Sequence, residues 1–397
     1  MLFFKLWNLD HDVDWTCCKM YKVLCCGSNG SGQLGVGHKR DLCELTECFR
    51  NNHRVLDIAC GSNHTLLLLE SGEAYACGSN ISGLTSLENL SENEEEMFML
   101  IGQDEKTYKK IAAGWDFSIL VDSSNKVHTQ GDLRLCGGLG EAVQEVKTLT
   151  EVYHSADDDV VEIHTSLHSI IIIHSSGKVL AWGNNKKGQL FGDCKTLDMV
   201  YSPLSLSFDD LDYEDKENFR VVRCAMGRDY TFFHVLNTVS QSQLIIMRSK
   251  NDRYKILQGL CNAIGDGHIE GNGRRSRWFR IKKGICLKRL KSMWSSVHVM
   301  YSTEEKSSVL KSFGNNVFGQ LFPGLSTEVA DFDVGTEHGV CLEKSEKKVC
   351  SWGWGEHGNC GVQKLTTKVN EMYSCDENKT IDSAIGGYAT TWIIVKS

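Results

Sequence analysis

The chain has 397 residues, 41% hydrophobic and 24% charged, which is enough apolar material to bury a core and excludes a disordered chain. The net charge of −8, from 43 basic and 51 acidic residues, gives no whole-molecule attraction to nucleic acid or anionic membrane, so any such contact needs a local patch. Seventeen cysteines without one Cys-x-x-Cys spacing exclude the usual zinc-ribbon and thioredoxin signatures, and an odd number in a chain this long reads as reduced thiols in the cytosol or nucleus.

Residues 1–19 read as an N-terminal extension, with disorder as one option. Met1 to Leu9 is apolar but short, and Asp10, Asp12 and Asp14 follow, which suits neither a signal peptide nor a membrane span. Lys22 to Gly27 begins the first strand and runs into the turn CGSNGSGQLG. The next strand, GSNHTLLLL from Gly61, forms a hairpin through Ser71-Gly72 and ends in a second turn, CGSNISGL from Cys77. An acidic insertion lies near 88–105. GWDFSILV from Gly114 and TSLHSIIII from Thr165 repeat the strand, and WGNNKKGQLFG from Trp182 repeats the turn. A second insertion near 205–218 carries the acidic run Asp209 to Glu217, expected to be a solvated loop. After GRDYTFF from Gly227 comes a third insertion, 262–291, whose part 274–291 holds nine Lys or Arg and no acid. WSSVHVM from Trp294, FGNNVFGQLF from Phe313, GTEHGVCL from Gly335, WGWGEHGNCG from Trp352 and GYATTWIIV from Gly387 complete the series.

The strand pattern therefore starts at 61, 114, 165, 227, 294, 335 and 387, a mean spacing of about 54 residues. Each period holds three to four short strands and no long helical stripe. One such sheet cannot bury both faces, so successive sheets must stack, and radial closure protects their edges. Seven periods predict an all-β, seven-bladed β-propeller over residues 20–397. The chain opens on a strand before a turn and ends on a strand pair, Ile381 to Val395, so the N-terminal strand should close the last blade. Gly353, Gly355 and Gly358 match G-x-G-x-x-G, but without a βαβ context the match carries no dinucleotide reading.

GSNGSGQLG, GNNKKGQLFG and GNNVFGQLF, with the Gly-x-x-His strands between them, resemble the regulator-of-chromosome-condensation-type repeats over roughly Met20 to Val395. That resemblance implies a seven-bladed propeller that is not an enzyme and holds no cofactor. MWSSVH, SFGNNVFGQLFP, VGTEHGV, SWGWGEHGNCG and GGYATTWIIV in the C-terminal third are similar to one branch of the family. This implies a heterodimer with a small four-cysteine zinc-ribbon electron carrier, supporting Elongator-dependent wobble-uridine modification of tRNA and diphthamide synthesis on a translation elongation factor, in cytoplasm and nucleus. The alternative it implies is guanine-nucleotide exchange on a small Ran-like GTPase.

The residues themselves suggest where a partner would sit. Trp354, Glu356 and His357 stand where other turn copies carry small, Asn or Lys residues, and an aromatic beside a carboxylate and an imidazole suits a binding hot spot. Trp115, Asp116, Arg228, Asp229, Trp294, Glu337, His338 and Tyr388 occupy equivalent repeat positions, which a propeller would gather on one rim. Each histidine could equally bond a neighbouring blade. No nucleophile or metal-ligand spacing singles out a catalytic or metal residue. Arg274, Arg275, Arg277 and Trp278 have the basic and aromatic composition of an RNA contact, although a loop that docks on an acidic partner would look the same.

Overall fold

A computed structural model describes residues 19–80, 96–102, 106–191, 198–271, 276–304, 306–364 and 366–397. Its strands fall into seven antiparallel sheets that close into a ring. Blade one holds β3 (Val55–Cys60), β4 (His64–Leu69), β5 (Ala74–Gly78) and β6 (Met99–Leu100). Blade two holds β7 (Tyr108–Ala113), β8 (Phe117–Asp122), β9 (Lys126–Asp132) and β10 (Glu145–His154). Blade three runs from β11 (Val160–Ser166) through β12 (Ser169–His174) and β13 (Val179–Asn184) to β14 (Met199–Ser205). Blade four runs from β15 (Phe219–Met226) through β16 (Thr231–Asn237) and β17 (Gln243–Arg248) to β18 (Ser276–Arg280). Blade five has three strands among the described residues, β19 (Cys286–Ser292), β20 (Ser296–Thr303) and β21 (Lys306–Gly314). Blade six comprises β22 (Val329–Val334), β23 (His338–Glu343), β24 (Lys348–Gly353) and β25 (Thr366–Ser374).

Blade seven joins the two ends of the chain in the order β2-β1-β27-β26. β26 (Thr380–Gly386) and β27 (Thr390–Lys396) come from the C-terminus, β1 (Tyr21–Gly27) and β2 (Leu42–Asn51) from the N-terminus. Closure thus uses two N-terminal strands rather than one, with Tyr21 opposite Lys396 and Gly27 opposite Thr390.

The apolar core is divided in the same way. Seven clusters of buried residues each lie between two neighbouring sheets. β4 shows why the sequence reads as an unbroken Leu run: Leu66 and Leu68 point to blade two, Leu67 and Leu69 to blade seven. A strand covered on both faces has no polar side to present, so its alternation disappears.

The turn copies share one hydrogen-bond plan. The side-chain oxygens of Asn29, Asn185 and Asn316 accept from the backbone N–H groups of Leu34, Leu190 and Leu321 at 2.9, 2.9 and 3.0 Å. Gln33, Gln189 and Gln320 each accept from the residue two before, at 2.8, 3.0 and 2.8 Å. The Asn and Gln of the repeat are therefore scaffold, and only the pair of tip residues between them is free to vary. Gly183 shows the glycine requirement: its φ of 105° and the His168 carbonyl against its missing side chain admit no Cβ.

The acidic side chains Asp209, Asp212, Glu214, Asp215 and Glu217 are exposed, as a solvated loop requires, but apolar residues of the same insertion anchor it. Leu206, Phe208 and Leu211 are buried between blades three and four, beneath them the fully buried Arg248. Its guanidinium donates to the Leu190 carbonyl at 2.7 Å, the Ser207 carbonyl at 2.5 Å and the Asp210 carboxylate at 3.0 Å, and lies 4.9 Å from the Phe208 ring centre. The insertion after β17 contains α1 (Ile256–Ile264), whose first N–H groups are accepted by Asp252 at 2.7 and 3.0 Å. The acidic insertion near 88–105 falls largely outside the described residues, as does the N-terminal extension up to residue 18.

Candidate functional site

The Gly-x-x-aromatic/His turns join the innermost strand of each blade to the next strand, and they meet around the ring axis at one rim. A chain of hydrogen bonds links them from blade to blade. The Ser62 hydroxyl donates to the Trp115 carbonyl at 2.6 Å and the Trp115 N–H to the Leu167 carbonyl at 2.8 Å. The Ser166 hydroxyl donates to the Gly227 carbonyl at 2.6 Å. The N–H groups of Arg228, Trp294 and Thr336 then donate to the carbonyls of Trp294, Thr336 and Gly387 at 3.1, 2.9 and 3.2 Å. This belt holds the rim residues in fixed register.

Three of the residues singled out from the sequence converge at its centre. Trp115, Trp294 and Tyr388 come from blades two, five and seven, yet their ring centres form a near-equilateral triangle with sides of 6.0, 5.9 and 6.0 Å. The Tyr388 hydroxyl also makes a hydrogen bond with the Leu167 backbone, and burial holds its pKa above the usual phenol value. The trio is half-buried and plugs one end of an axial cavity of about 420 Å³. Ion pairs line the wall below it, Lys291 Nζ with Asp333 at 2.8 Å and Arg289 with Asp331, together with His164, whose Nε2 lies 2.8 Å from a Glu162 carboxylate oxygen. Among the described residues no group of three or more His, Cys, Asp or Glu could hold a metal.

Around the plug the polar candidates are held unequally. Glu337 is half-buried and accepts from Ser295 Oγ at 3.1 Å and Gln320 Nε2 at 2.9 Å, both from blade five. Burial raises its pKa, against those donors and the Arg228 charge. Burial also raises the Asp116 pKa, with the Asp132 carboxylate adding to it. Arg228 is exposed, with its guanidinium 3.4 Å from Asp229. On blade six the Trp354 N–H donates to the Glu337 carbonyl at 3.0 Å, and its ring meets His357 edge-on at 5.2 Å. His357 Nδ1 lies 2.8 Å from an Asp41 carboxylate oxygen of blade seven, while Glu356 is exposed. Nothing in the sequence marks Asp41, because the two meet only through ring closure.

Two expectations require correction. His338 is 0% exposed and cannot touch a partner: its Nε2 is 2.9 Å from the Thr391 hydroxyl of blade seven. That hydroxyl donates to the Asn359 carbonyl at 2.7 Å, so the imidazole must be the donor in the first bond, and burial lowers its pKa to about 4. His64 plays the same part between blades one and two, 2.9 Å from Ser118 Oγ. Within the basic stretch, Trp278 is likewise no contact residue. Trp278 on β18 is buried against Tyr213, ring centres 5.1 Å apart, and has no face to offer a base. Arg277 is half-buried and packs on Met247, with 3.6 Å from Nη2 to the sulfur, and Arg289 and Lys291 turn into the axial cavity. Arg274 and Arg275 lie outside the described residues.

Residues 22–68 and 55–83 match two profiles of the regulator of chromosome condensation (RCC1) repeat. An RCC1 repeat-containing protein of Schizosaccharomyces pombe is 24% identical over 94% of this chain and 99% of its own length. A mouse secretion-regulating guanine nucleotide exchange factor is 23% identical over 84% of this chain and 74% of its own. Among solved structures, Prp20p of Saccharomyces cerevisiae, studied for binding to Gsp1p and histones, superposes with a TM-score of 0.74 at 15% identity, covering 94% of this chain and 91% of its own. Human WBSCR16 gives 0.70 at 14% identity, covering 95% and 99%. At those identities the structural likeness speaks for the fold alone.

Proposed function

The chain is a propeller built from RCC1 repeats, and on that premise we propose that it is a guanine-nucleotide exchange factor for a small GTPase, gripping it with the rim that carries Trp115, Trp294 and Tyr388. The observation that carries this reading is the aromatic trio itself, set among Asp116, Arg228, Asp229 and Glu337 on a rim locked by hydrogen bonds. Exchange needs no covalent chemistry. A protein that binds the nucleotide-free GTPase more tightly than the loaded form weakens nucleotide binding by the same factor, by linkage. A rigid aromatic centre supplies contact area at small entropic cost, and the charges around it fix register. The mouse relative described as an exchange factor, matched over 74% of its length, supports this reading.

Release of a fluorescent GDP analogue from a panel of purified small GTPases tests it. One member should release nucleotide faster with this protein, and Trp294→Ala should reduce that acceleration by about tenfold or more in a chain whose circular dichroism spectrum stays that of the folded ring. No acceleration on any member counts against the reading.

The motifs of the C-terminal third favour a second reading, a regulatory adaptor for a small four-cysteine zinc-ribbon protein in tRNA wobble-uridine modification and diphthamide synthesis. There the Trp354, Glu356 and His357 turn would be the anchor. Co-purification that repeatedly lacks such a protein would exclude the reading, and retention that survives Trp354→Ala would exclude that turn as the anchor.

A further inference from the structure

We propose that the outer ring of this rim carries a docking arc for an acidic polypeptide segment with an apolar anchor, formed by Lys186, Lys187, Lys250, Arg253, Val317 and Phe318. The proposal rests on the reading that the rim binds a protein, and it names the chemistry of the surface that binds.

The arc follows from the turn scaffold. In each copy the Asn and Gln side chains fix the backbone, so the fold does not specify the two tip residues. In blade three these are Lys186 and Lys187, both exposed. In blade five they are Val317 and Phe318, 75% and 41% exposed, where a plain repeat would face water with polar groups. Two large apolar side chains on a rigid tip have no role in the core, and such tips serve as anchors in partner pockets.

Blade four lies between and joins the two. The Lys250 N–H donates to the Lys187 carbonyl at 2.7 Å, tying their tips together, and the Arg228 N–H donates to the Trp294 carbonyl of blade five at 3.1 Å. Among the described residues Lys186, Lys187, Lys250 and Arg253 have no carboxylate within ion-pair distance, although the chain as a whole is acidic. Of the acids close by, Asp252 caps α1 and Asp229 faces Arg228, while Asp198, whose carbonyl accepts the Asn185 N–H at 2.8 Å, is among the described residues the one exposed carboxylate beside the blade-three tip, against four cations on the arc.

The extent of the arc decides the class of partner. Asp116 borders it on blade two, and Glu337 and Glu356 border it on blade six. A continuous polyanion such as duplex DNA or an anionic membrane would run from the basic blades onto these carboxylates and be repelled. A short acidic segment stops before them, and its apolar residue meets Val317 and Phe318.

The test uses the full chain and a short fluorescein-labelled peptide of glutamates around a Leu-Phe pair, read by anisotropy at two salt concentrations. Binding is expected to weaken with salt, to fall about tenfold in a Lys186→Glu, Lys187→Glu double variant, and to fall about fivefold in Val317→Ser, Phe318→Ser. All four side chains are exposed, so melting temperatures should not move. No peptide binding, equal binding by the variants, or tighter binding of duplex DNA or phosphatidylserine vesicles than of peptide would overturn the proposal. GDP release measured in parallel separates the two readings: acceleration without peptide binding removes the arc alone, and peptide binding without acceleration removes exchange alone.

Discussion

His64, His298 and His338 are buried neutral side chains, and their chemistry makes them pH sensors of the fold. Burial lowers their pKa values to about 4, 3 and 4, from an ordinary value of 6.5. The unfolded chain therefore takes up these protons near pH 6.5, whereas the folded ring resists until pH 4 or below. Their contribution to stability is whole above pH 6.5 and is lost as pH falls toward 4. We expect the melting temperature to drop across that window, and His338→Gln, which keeps a donor for Thr391, to flatten the drop relative to wild type in a calorimetric pH series. The sequence showed His64 and His338 at a recurrent position. It did not show which way they point, because the same spacing serves a rim contact and a strut between blades, and only the Thr391 and Ser118 hydroxyls across the interface decide.

Elements were legible wherever their pattern is local. The Asn-x-x-Gly-Gln-Leu turn forms its own hydrogen bonds within six residues, so it can be read as a unit. Misreadings occur where distant partners change the meaning of a run. Nine basic residues read as an exposed loop, yet β18 buries Ser276, Trp278 and Phe279 while the charged neighbours take the other positions. Asp209 to Glu217 read as a solvated loop and most of its acids are exposed, yet Asp210, with Phe208 just before it, covers Arg248 from a neighbouring blade. Phe208→Ala should cost about 3 kcal/mol in urea unfolding through lost burial. Asp210→Ala should also destabilise, by about 3 kcal/mol, because it leaves the Arg248 charge buried without its carboxylate.

At the scale of the molecule, stability depends on closing the ring. Blade seven takes two strands from each end, and its faces complete the clusters with blades six and one. Removing residues 1–51 would leave β26 and β27 as a two-stranded ribbon with Trp392 and Ile394 uncovered. The expected outcome is loss of the near-ultraviolet circular dichroism signal and a shift to aggregates in size-exclusion chromatography. A permuted chain that carries residues 19–51 after Ser397 through a flexible linker should retain both, because the pairing of β1 with β27 is kept.

The sequence by itself determined the repeat, its number and therefore the sheet architecture, because short apolar strand runs and glycine turns are written in contiguous residues. It also marked Trp115, Trp294 and Tyr388 as equivalent positions. Tertiary structure alone decided that these three touch, that His338 and Trp278 are buried, and that Asp41 meets His357 across 316 residues. The physical reason is the ring: these contacts join different blades, and closure brings together groups whose separation in sequence carries no trace of their distance in space.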